Sequence, residues 1–109
     1  MSSKPFNIAV PDEKLKRLHD KLDAATFPDE LDNAGWDMGV PLSEIQRLTR
    51  YWRDGFDWRK QEQQLNANLN HFTIPVQVDG FGEIDIHYLH HPSKATGAIP
   101  LLFLHGCED

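Results

Sequence analysis

The sequence predicts an α+β fold in which a meander of about three helices, within residues 1–71, precedes three β-strands within residues 72–109. Up to Asn70 the apolar side chains recur at every third or fourth residue, which is the period of an amphipathic helix. After Asn70 they alternate with polar side chains, which is the period of a half-buried strand. The run 99–104 is apolar throughout, and this pattern is typical of a strand covered on both faces.

The first helix is expected from Pro11 to about Ala25. Leu15, Leu18 and Leu22 recur along it at spacings of three and four. A proline is tolerated in the first turn because the N–H that it lacks would have no intrahelical acceptor there. Basic and acidic residues interleave at the remaining positions, which indicates a solvated face.

A connector over residues 26–40 follows, and it is rich in glycine, proline and acidic residues. Because it is long for a loop of a compact domain, we expect it to lie along a surface with Trp36 as its anchor. Its acidic residues Asp29, Glu30 and Asp32 are interpreted as solvated or capping groups rather than as a paired-carboxylate site.

Two further helices are expected after the connector. The second covers residues 41–55, where apolar side chains form one stripe and a glycine follows the last turn. The third is shorter: Asp57 is a favourable N-cap, and Trp58 and Leu65 lie on one side. The asparagine-rich residues 66–70 are expected to end it.

The strands begin with a predicted hairpin. Residues 72–78 and 83–88 both alternate between apolar and polar side chains, and the Asp-Gly-Phe-Gly sequence at 79–82 is typical of a turn. Pro75 has no N–H to donate to a neighbouring strand, so the first strand is predicted at a sheet edge. The apolar run 99–104 is the third predicted strand.

Composition limits the class of partner and the compartment. With 17 acidic against 11 basic residues the formal net charge is −6, which argues against nucleic acid or an anionic membrane as a partner. The single cysteine excludes an internal disulfide. No apolar stretch approaches the ~20 residues of a membrane span, and the N-terminus lacks the core of a signal peptide. These observations predict a soluble, cytoplasmic protein.

Two groups of residues could carry chemistry, and each has a simpler structural interpretation. His87, His90 and His91 could bind a metal, but on a strand His87 and His91 point to one face and His90 to the other, so no metal site is predicted. Cys107 follows His105 by two residues, but a thiol nucleophile needs a third, orienting group and a pocket. That role is disfavoured, and no cofactor is predicted.

Four strings of residues resemble one known family. They are Trp36-Asp37 with Gly39-Val40-Pro41-Leu42, Tyr51-Trp52 with Phe56-Asp57-Trp58-Arg59, Ile84-Asp85-Ile86-His87-Tyr88, and Leu101-Leu102-Phe103-Leu104-His105-Gly106. The first two resemble the N-terminal region of the microsomal-type epoxide hydrolases. The last two are similar to the stretch where that region enters the α/β-hydrolase fold. The resemblance covers residues 6–106, and it implies that the three predicted strands are the first three of an α/β-hydrolase sheet.

The family resemblance implies hydrolysis of epoxides to vicinal diols. An aspartate attacks the epoxide to form an ester, lid tyrosines donate to the epoxide oxygen, and a histidine–carboxylate pair activates water. None of the segments that carry the nucleophile, acid or base is recognised in this sequence, so the chain is expected to be truncated. The remnant of the site is the turn His105, Gly106 and Cys107, whose N–H after glycine would face an oxyanion. Cys107 and Glu108 replace a tryptophan and a proline of the family turn, which indicates a relic of the fold.

Two main functional interpretations follow from the resemblance. The first is a truncated or split epoxide hydrolase, inactive as an isolated chain, with detoxification or secondary metabolism as the family setting. The alternative is a non-catalytic interaction module that packs on a hydrolase body or a full-length homologue. An exposed third strand is expected to allow homo-oligomers. A third interpretation is a small independent enzyme that uses Asp37, His87 or His105.

Overall fold

The protein folds as three helices and a three-stranded antiparallel sheet; the three helices and the hairpin are as predicted, and the third strand of the sheet is a different one. The computed structural model describes residues 2–104 and 106. In chain order the elements are β1 (Lys4–Pro5), α1 (Asp12–Asp23), α2 (Leu42–Asp54), α3 (Trp58–Asn68), β2 (His71–Val78) and β3 (Gly82–Leu89). The chain divides into a helical unit, Asn7–Asn68, and a sheet unit formed by the described residues before and after it. Within the described residues, no helix has both the length and the apolar character needed to cross a membrane.

Helix α1 begins directly after Pro11, as the sequence predicts, and ends at Asp23. The carbonyl oxygen of Pro11 accepts the N–H groups of Lys14 at 3.0 Å and Leu15 at 3.3 Å, so the proline opens the helix without needing its own N–H. The solvated face carries an i,i+4 ion pair between Lys16 and Asp20, with 2.7 Å between the nitrogen and the nearest oxygen.

Helix α2 begins after Pro41 and is capped from the connector. Oε1 of Glu30 accepts the N–H of Leu42, the first helical residue, at 2.9 Å. Proline offers no side-chain acceptor, so this carboxylate satisfies one of the donors that every helix N-terminus leaves open. At the other end the Gly55 N–H donates to the Tyr51 carbonyl at 2.8 Å. Of the two roles left open for Glu30 by the sequence, capping is the one observed.

The connector between α1 and α2 follows a course of turns and bends. Asn33 and Gly39 adopt φ angles of 60° and 117°. The Trp36 side chain is 67% exposed. The predicted role of Trp36 as an anchor is therefore wrong in this structure, because a side chain that leaves two thirds of its surface in water gains little from burial.

Helix α3 continues through Asn66, where the sequence predicts its end. The N-cap prediction is confirmed, because Oδ1 of Asp57 accepts the Lys60 N–H at 3.0 Å. Asparagine usually weakens a helix by bonding to the nearby backbone. The amide of Asn66 instead binds the backbone of Ile8, so it does not compete with the hydrogen bonds of its own helix.

Strands β2 and β3 form the predicted hairpin. Their register runs from His71 opposite Leu89 to Val78 opposite Gly82. The Phe81 N–H donates to the Val78 carbonyl at 3.0 Å. Gly80 has a φ of 81°, which side-chain-bearing residues rarely adopt. The glycine at this position thus allows the tight reversal.

Strand β2 is the middle strand of the sheet, so its predicted position at the edge is wrong at its N-terminal end. Lys4 and Pro5 of β1 pair with Thr73 and Phe72. Pro75 lies beyond this short ladder, on a stretch that pairs with β3 alone. The missing N–H of Pro75 therefore limits the length of β1 pairing rather than excluding it.

The third predicted strand, at residues 99–104, is not formed. The third strand of the observed sheet is β1, which was not predicted. A strand needs a neighbour that supplies hydrogen bonds, and no described segment pairs with this run. Its large apolar side chains are strongly exposed: Ile99 90%, Leu101 89%, Leu102 83%, Phe103 79% and Leu104 80%. The apolar pattern predicts a strand covered on both faces, whereas within the described residues no segment covers this run.

Candidate functional site

A hydrogen-bonded polar cluster lies on one face of α3, in the helical unit. Arg59, Glu62 and Asn66 are spaced by three and four residues, so they share this face. They bind the segment of residues 7–11, which leads into α1, and Asp12, the first residue of that helix. We call this arrangement the α3 clamp.

Asn66 binds both backbone polar groups of one residue in the segment, Ile8. Its Oδ1 accepts the Ile8 N–H at 2.8 Å, and its Nδ2 donates to the Ile8 carbonyl at 2.8 Å. This pair of bonds reproduces what a neighbouring β-strand would offer to an extended residue. The contact fixes both the position and the direction of the chain.

Glu62 binds the backbone of Val10, two residues after Ile8 in the same segment. Its Oε1 accepts the Val10 N–H at 2.6 Å, and its Oε2 accepts from Arg59 Nη1 at 2.7 Å. Arg59 also forms an ion pair with Asp12. The Val10 N–H, burial and Arg59 all act on the pKa of Glu62: the N–H lowers it most, burial opposes, and Arg59 lowers it further, with a net decrease.

The buried residues are unusual in chemistry. Among the described residues, the two that are buried are polar, Glu62 at 8% exposure and His71 at 7%, and no apolar side chain reaches that level. Buried carboxylates are stabilised only when they are paired and hydrogen-bonded. Glu62 meets this condition through two partners. The α3 clamp thus has a structural role, because Glu62 and Asn66 bind backbone groups of residues 8 and 10 and Arg59 binds the carboxylates of Glu62 and Asp12.

An apolar groove lies in the helical unit, where α1 and α2 pack together. Its volume is about 690 Å³, and Lys14 is its charged member. The apolar lining consists of Val10, Leu15, Leu18, Leu48, Tyr51, Trp52, Phe56 and Trp58. Tyr51 and Trp52 remain 57% and 50% exposed. The predicted amphipathic stripes of α1 and α2 therefore face each other only in part and leave an open apolar surface.

Two histidines of the sheet unit, His71 and His87, form a pair. His71 Nδ1 lies 3.0 Å from His87 Nε2, whereas the His90 ring lies against Phe72, with 6.4 Å between ring centroids. Among the described residues, no group of three or more histidine, cysteine, aspartate or glutamate side chains could hold a metal. The sequence analysis did not single out His71. In the hairpin His87 lies opposite Thr73, and His71 is two residues before Thr73 on the same face, so the register of the hairpin is the signal that could have revealed the pair.

The predicted oxyanion-turn remnant lies mostly outside the described residues. His105 and Cys107 fall there, and Gly106 is described. Asp37, considered for an independent enzyme, lies in a turn where its N–H donates to the Ala34 carbonyl at 3.0 Å. Its side chain is exposed. Asp37 belongs to the helical unit, whereas His87 belongs to the sheet unit.

Comparison with protein families gives one match over most of the chain. The family model described as epoxide hydrolase N terminus matches residues 3–108. A relative from Stigmatella aurantiaca that bears an epoxide hydrolase name is 43% identical over 102 residues, covering 94% of this chain and 22% of that protein. Epoxide hydrolase 1 of Oryctolagus cuniculus is 32% identical over 109 residues, covering 96% of this chain and 23% of that protein.

Solved structures give a similar result. The structure of Aspergillus niger epoxide hydrolase superposes with a TM-score of 0.67 at 25% sequence identity, and the match covers 82% of this chain and 22% of that one. The chain thus spans less than a quarter of the length of these relatives.

Proposed function

Because the chain belongs to the epoxide hydrolase N-terminus family, we propose that it acts as the non-catalytic N-terminal part of an epoxide hydrolase. The observation that carries this proposal is the family match over residues 3–108. The complete hydrolase would open epoxides to vicinal diols through an aspartate ester. Its nucleophile, lid tyrosines and catalytic histidine would come from the hydrolase body, in the same polypeptide or in a separate one.

The exposed apolar surfaces support a packing role for this part. Residues 99–104 carry five large apolar side chains that are 79–90% exposed, and covering each one is worth about 1.5–3 kcal/mol. The groove between α1 and α2 offers a second apolar surface. A hydrolase body that covers residues 99–104 would also supply the neighbours that convert this run into a strand.

The turn after this run is proposed to be a remnant rather than a working oxyanion site. The N–H of Cys107 would be the donor in the family arrangement. Glu108 stands where the family has proline, and a cis peptide before a residue other than proline costs about 2.5–4 kcal/mol. The bend that the family turn uses is therefore disfavoured here.

The experiment is reconstitution of a hydrolase from two parts. The Stigmatella aurantiaca relative, cut after the region that matches this chain, would be expressed as the body and assayed on styrene oxide with and without the full chain. We expect no turnover by the chain alone and increased turnover by the mixture. Leu102→Asp should abolish the increase, and Ser93→Asp, on an exposed polar residue nearby, should preserve it.

Two outcomes would contradict the proposal. If the mixture is no more active than the body alone, the chain is not a functional N-terminal part. If the chain alone hydrolyses styrene oxide and loses this activity on substitution of Asp37, His87 or His105, it is an independent enzyme.

A second candidate, the interaction module, rests on the same exposed run. A separate chain with residues 99–104 uncovered would bind an intact homologue or a second copy of itself, because an uncovered apolar segment favours association. Light scattering on the purified chain tests self-association, and co-purification with the intact relative tests the other form. A chain that stays monomeric in light scattering and does not co-purify with the intact relative would exclude both forms of association.

A further inference from the structure

The sheet unit has an open edge at β3. The strand order is β1-β2-β3, so β3 pairs with β2 on one side, and none of the described strands pairs with its other side. Strand β3 covers Gly82–Leu89 and contains neither a proline nor a lysine. These are the residues that commonly block pairing at a sheet edge. The outer side of β3 is therefore accessible to another strand.

The hydrogen bonds of the hairpin show which residues of β3 face this edge. The His90 N–H donates to the Asn70 carbonyl at 3.1 Å, which continues the register of β2 and β3 by one bonded pair. Bonded and unbonded pairs alternate along an antiparallel ladder, so the even-numbered residues of β3 bond to β2. The odd-numbered residues direct their N–H and C=O groups outward. They are Glu83, Asp85, His87 and Leu89.

The opposite side of the sheet carries a block that β3 lacks. The His71 carbonyl accepts the Phe6 N–H at 2.9 Å, so the odd-numbered residues of β2 face β1. Pro75 therefore faces the same side, beyond the end of the β1 ladder, and has no N–H to offer there. A further strand is disfavoured at Pro75, whereas β3 presents a donor at every outward position.

The side chains of β3 differ between its two faces. Ile84, Ile86 and Tyr88 lie opposite apolar side chains of β2, so they belong to one apolar face. Ile84 and Ile86 are still 41% and 45% exposed. Glu83 and Asp85 lie on the other face, because side chains alternate along a strand. A strand that extends the sheet must alternate in the same way.

A second copy of β3 meets this requirement. Two copies related by a two-fold axis perpendicular to the sheet keep their apolar faces on one side and their polar faces on the other. The run 99–104 does not meet it, because it is apolar throughout and would place half of its side chains on the polar face. The pattern of β3 thus favours a second β3 as its neighbour.

The charges of β3 favour one register for such a pair. When Ile86 lies opposite its own copy, Asp85 lies opposite His87 of the other copy, and residues 83–89 are all paired. A register centred on Asp85 would place two carboxylates opposite each other, which is destabilising. A register centred on His87 would pair only residues 85–89. The Ile86 register therefore combines the longest ladder with carboxylates that face imidazoles.

We propose that β3 is a self-pairing surface through which two copies of the chain join their sheets into one. The joined sheet has the order β1-β2-β3-β3-β2-β1, with Ile86 at the two-fold axis. The outward N–H groups of Asp85 and His87 donate to carbonyls of the other copy. This surface is distinct from the run 99–104, and the inference does not depend on the proposed function.

Sedimentation equilibrium of the full chain at neutral pH tests the pairing. We expect a reversible dimer with a Kd of about 1–100 µM, because a single strand pair buries less than the ~1,200 Å² at which standard interfaces begin. Leu102→Asp should dimerise like the native chain, since residue 102 lies outside β3. A native chain that is monomeric up to about 1 mM, or a monomeric Leu102→Asp chain, would overturn the proposal.

Two variants with the same change in charge locate the interface. Asp85→Lys places a lysine on the open edge, opposite His87 of the other copy, and should weaken the dimer by at least about tenfold. Asp79→Lys makes the change in the exposed hairpin turn, outside the paired residues. It should dimerise at least as well as the native chain, because it reduces the net charge of −6 on each copy. Equal weakening by both variants would contradict pairing through β3.

Amide hydrogen exchange of the native chain gives a readout that does not depend on a variant folding. The amides of Ile84 and Ile86 bond to β2 in each copy, whereas those of Asp85 and His87 face the open edge. Raising the chain concentration through the Kd should therefore slow exchange at Asp85 and His87 by a larger factor than at Ile84 and Ile86. An equal change at both pairs of amides, or no change, would overturn the proposal.

Discussion

The Oε1 atom of Glu62 accepts the backbone N–H of Val10 at 2.6 Å, although 52 residues separate them in the chain. This bond ties α3 to the segment that leads into α1. It also places a carboxylate in one of the two most buried positions among the described residues. The helical unit is therefore organised around a charged side chain, and its stability should depend on pH.

The stability of the helical unit is expected to fall in acid through Glu62. The Val10 N–H, followed by Arg59, lowers the pKa of Glu62 in the folded chain despite burial. A lowered folded pKa means that the stabilisation is complete above the unfolded value, about 4.3, and is lost as pH falls through the folded value. Urea unfolding at pH 7 and pH 3 should show a larger gap between the native chain and Glu62→Gln at pH 7. An equal gap at both values would contradict this.

Asn66→Ala is expected to destabilise the chain by about 1–3 kcal/mol, because it removes both bonds to Ile8 and leaves two backbone groups unsatisfied. Asn66→Asp keeps the acceptor and loses the donor, so it should fall between the native chain and the alanine variant. Gln64→Ala, on the exposed side of the same helix, is the control and should change stability little. Chemical denaturation gives the three values, and equal effects of Asn66→Ala and Gln64→Ala would refute the role of the clamp.

Glu30→Ala is expected to cost about 0.5–2 kcal/mol by removing the cap of α2. Glu30 accepts the Leu42 N–H at 2.9 Å. The proline before Leu42 has no side-chain acceptor that could replace this bond. Asp29→Ala, one residue away, is the matched control and should have a smaller effect. The comparison of midpoints in thermal unfolding by circular dichroism tests the assignment.

Gly80→Ala is expected to destabilise the hairpin by about 1–2 kcal/mol, the cost of a left-handed backbone for a residue with a Cβ. A Cβ at this position would meet nothing within 4 Å, so the effect would come from the backbone alone. Phe81→Ala is the control in the same turn, because the Phe81 side chain is 80% exposed. Amide exchange across β2 and β3 would measure the loss, and equal protection in both variants would contradict it.

The parts of the fold that the sequence predicts correctly are those set by local pattern. The stripes of α1 and α2, the N-cap at Asp57 and the glycine turn of the hairpin each depend on residues close in sequence. Strand β1 was not foreseen, because Lys4–Pro5 is too short to show alternation and its partners, Thr73 and Phe72, are distant. A hydrophobic pattern reports on residues close in sequence, so it predicts local helices and hairpins but not the pairing of distant strands.

The functional clusters were harder to predict for a related reason. Asn66 looks like a helix breaker from its propensity, and only its contact with Ile8 reverses that conclusion. Glu62 carries no motif, because its partner is a backbone N–H that every residue except proline offers. The family resemblance, in contrast, was visible in side-chain strings such as Tyr51-Trp52. Backbone recognition leaves little trace in a sequence, whereas aromatic pairs leave a clear one.

The scarcity of fully buried apolar side chains has a calorimetric consequence. Unfolding raises the heat capacity mainly by exposing apolar surface to water, and about 1.3–1.6 kcal/mol/K is usual for a chain of 109 residues. Because the described residues bury Glu62 and His71 more deeply than any leucine, isoleucine or valine, the increment should fall below that range. A less strongly curved dependence of the free energy of unfolding on temperature follows, and the unfolding enthalpy should change less with temperature than is usual for a chain of this length.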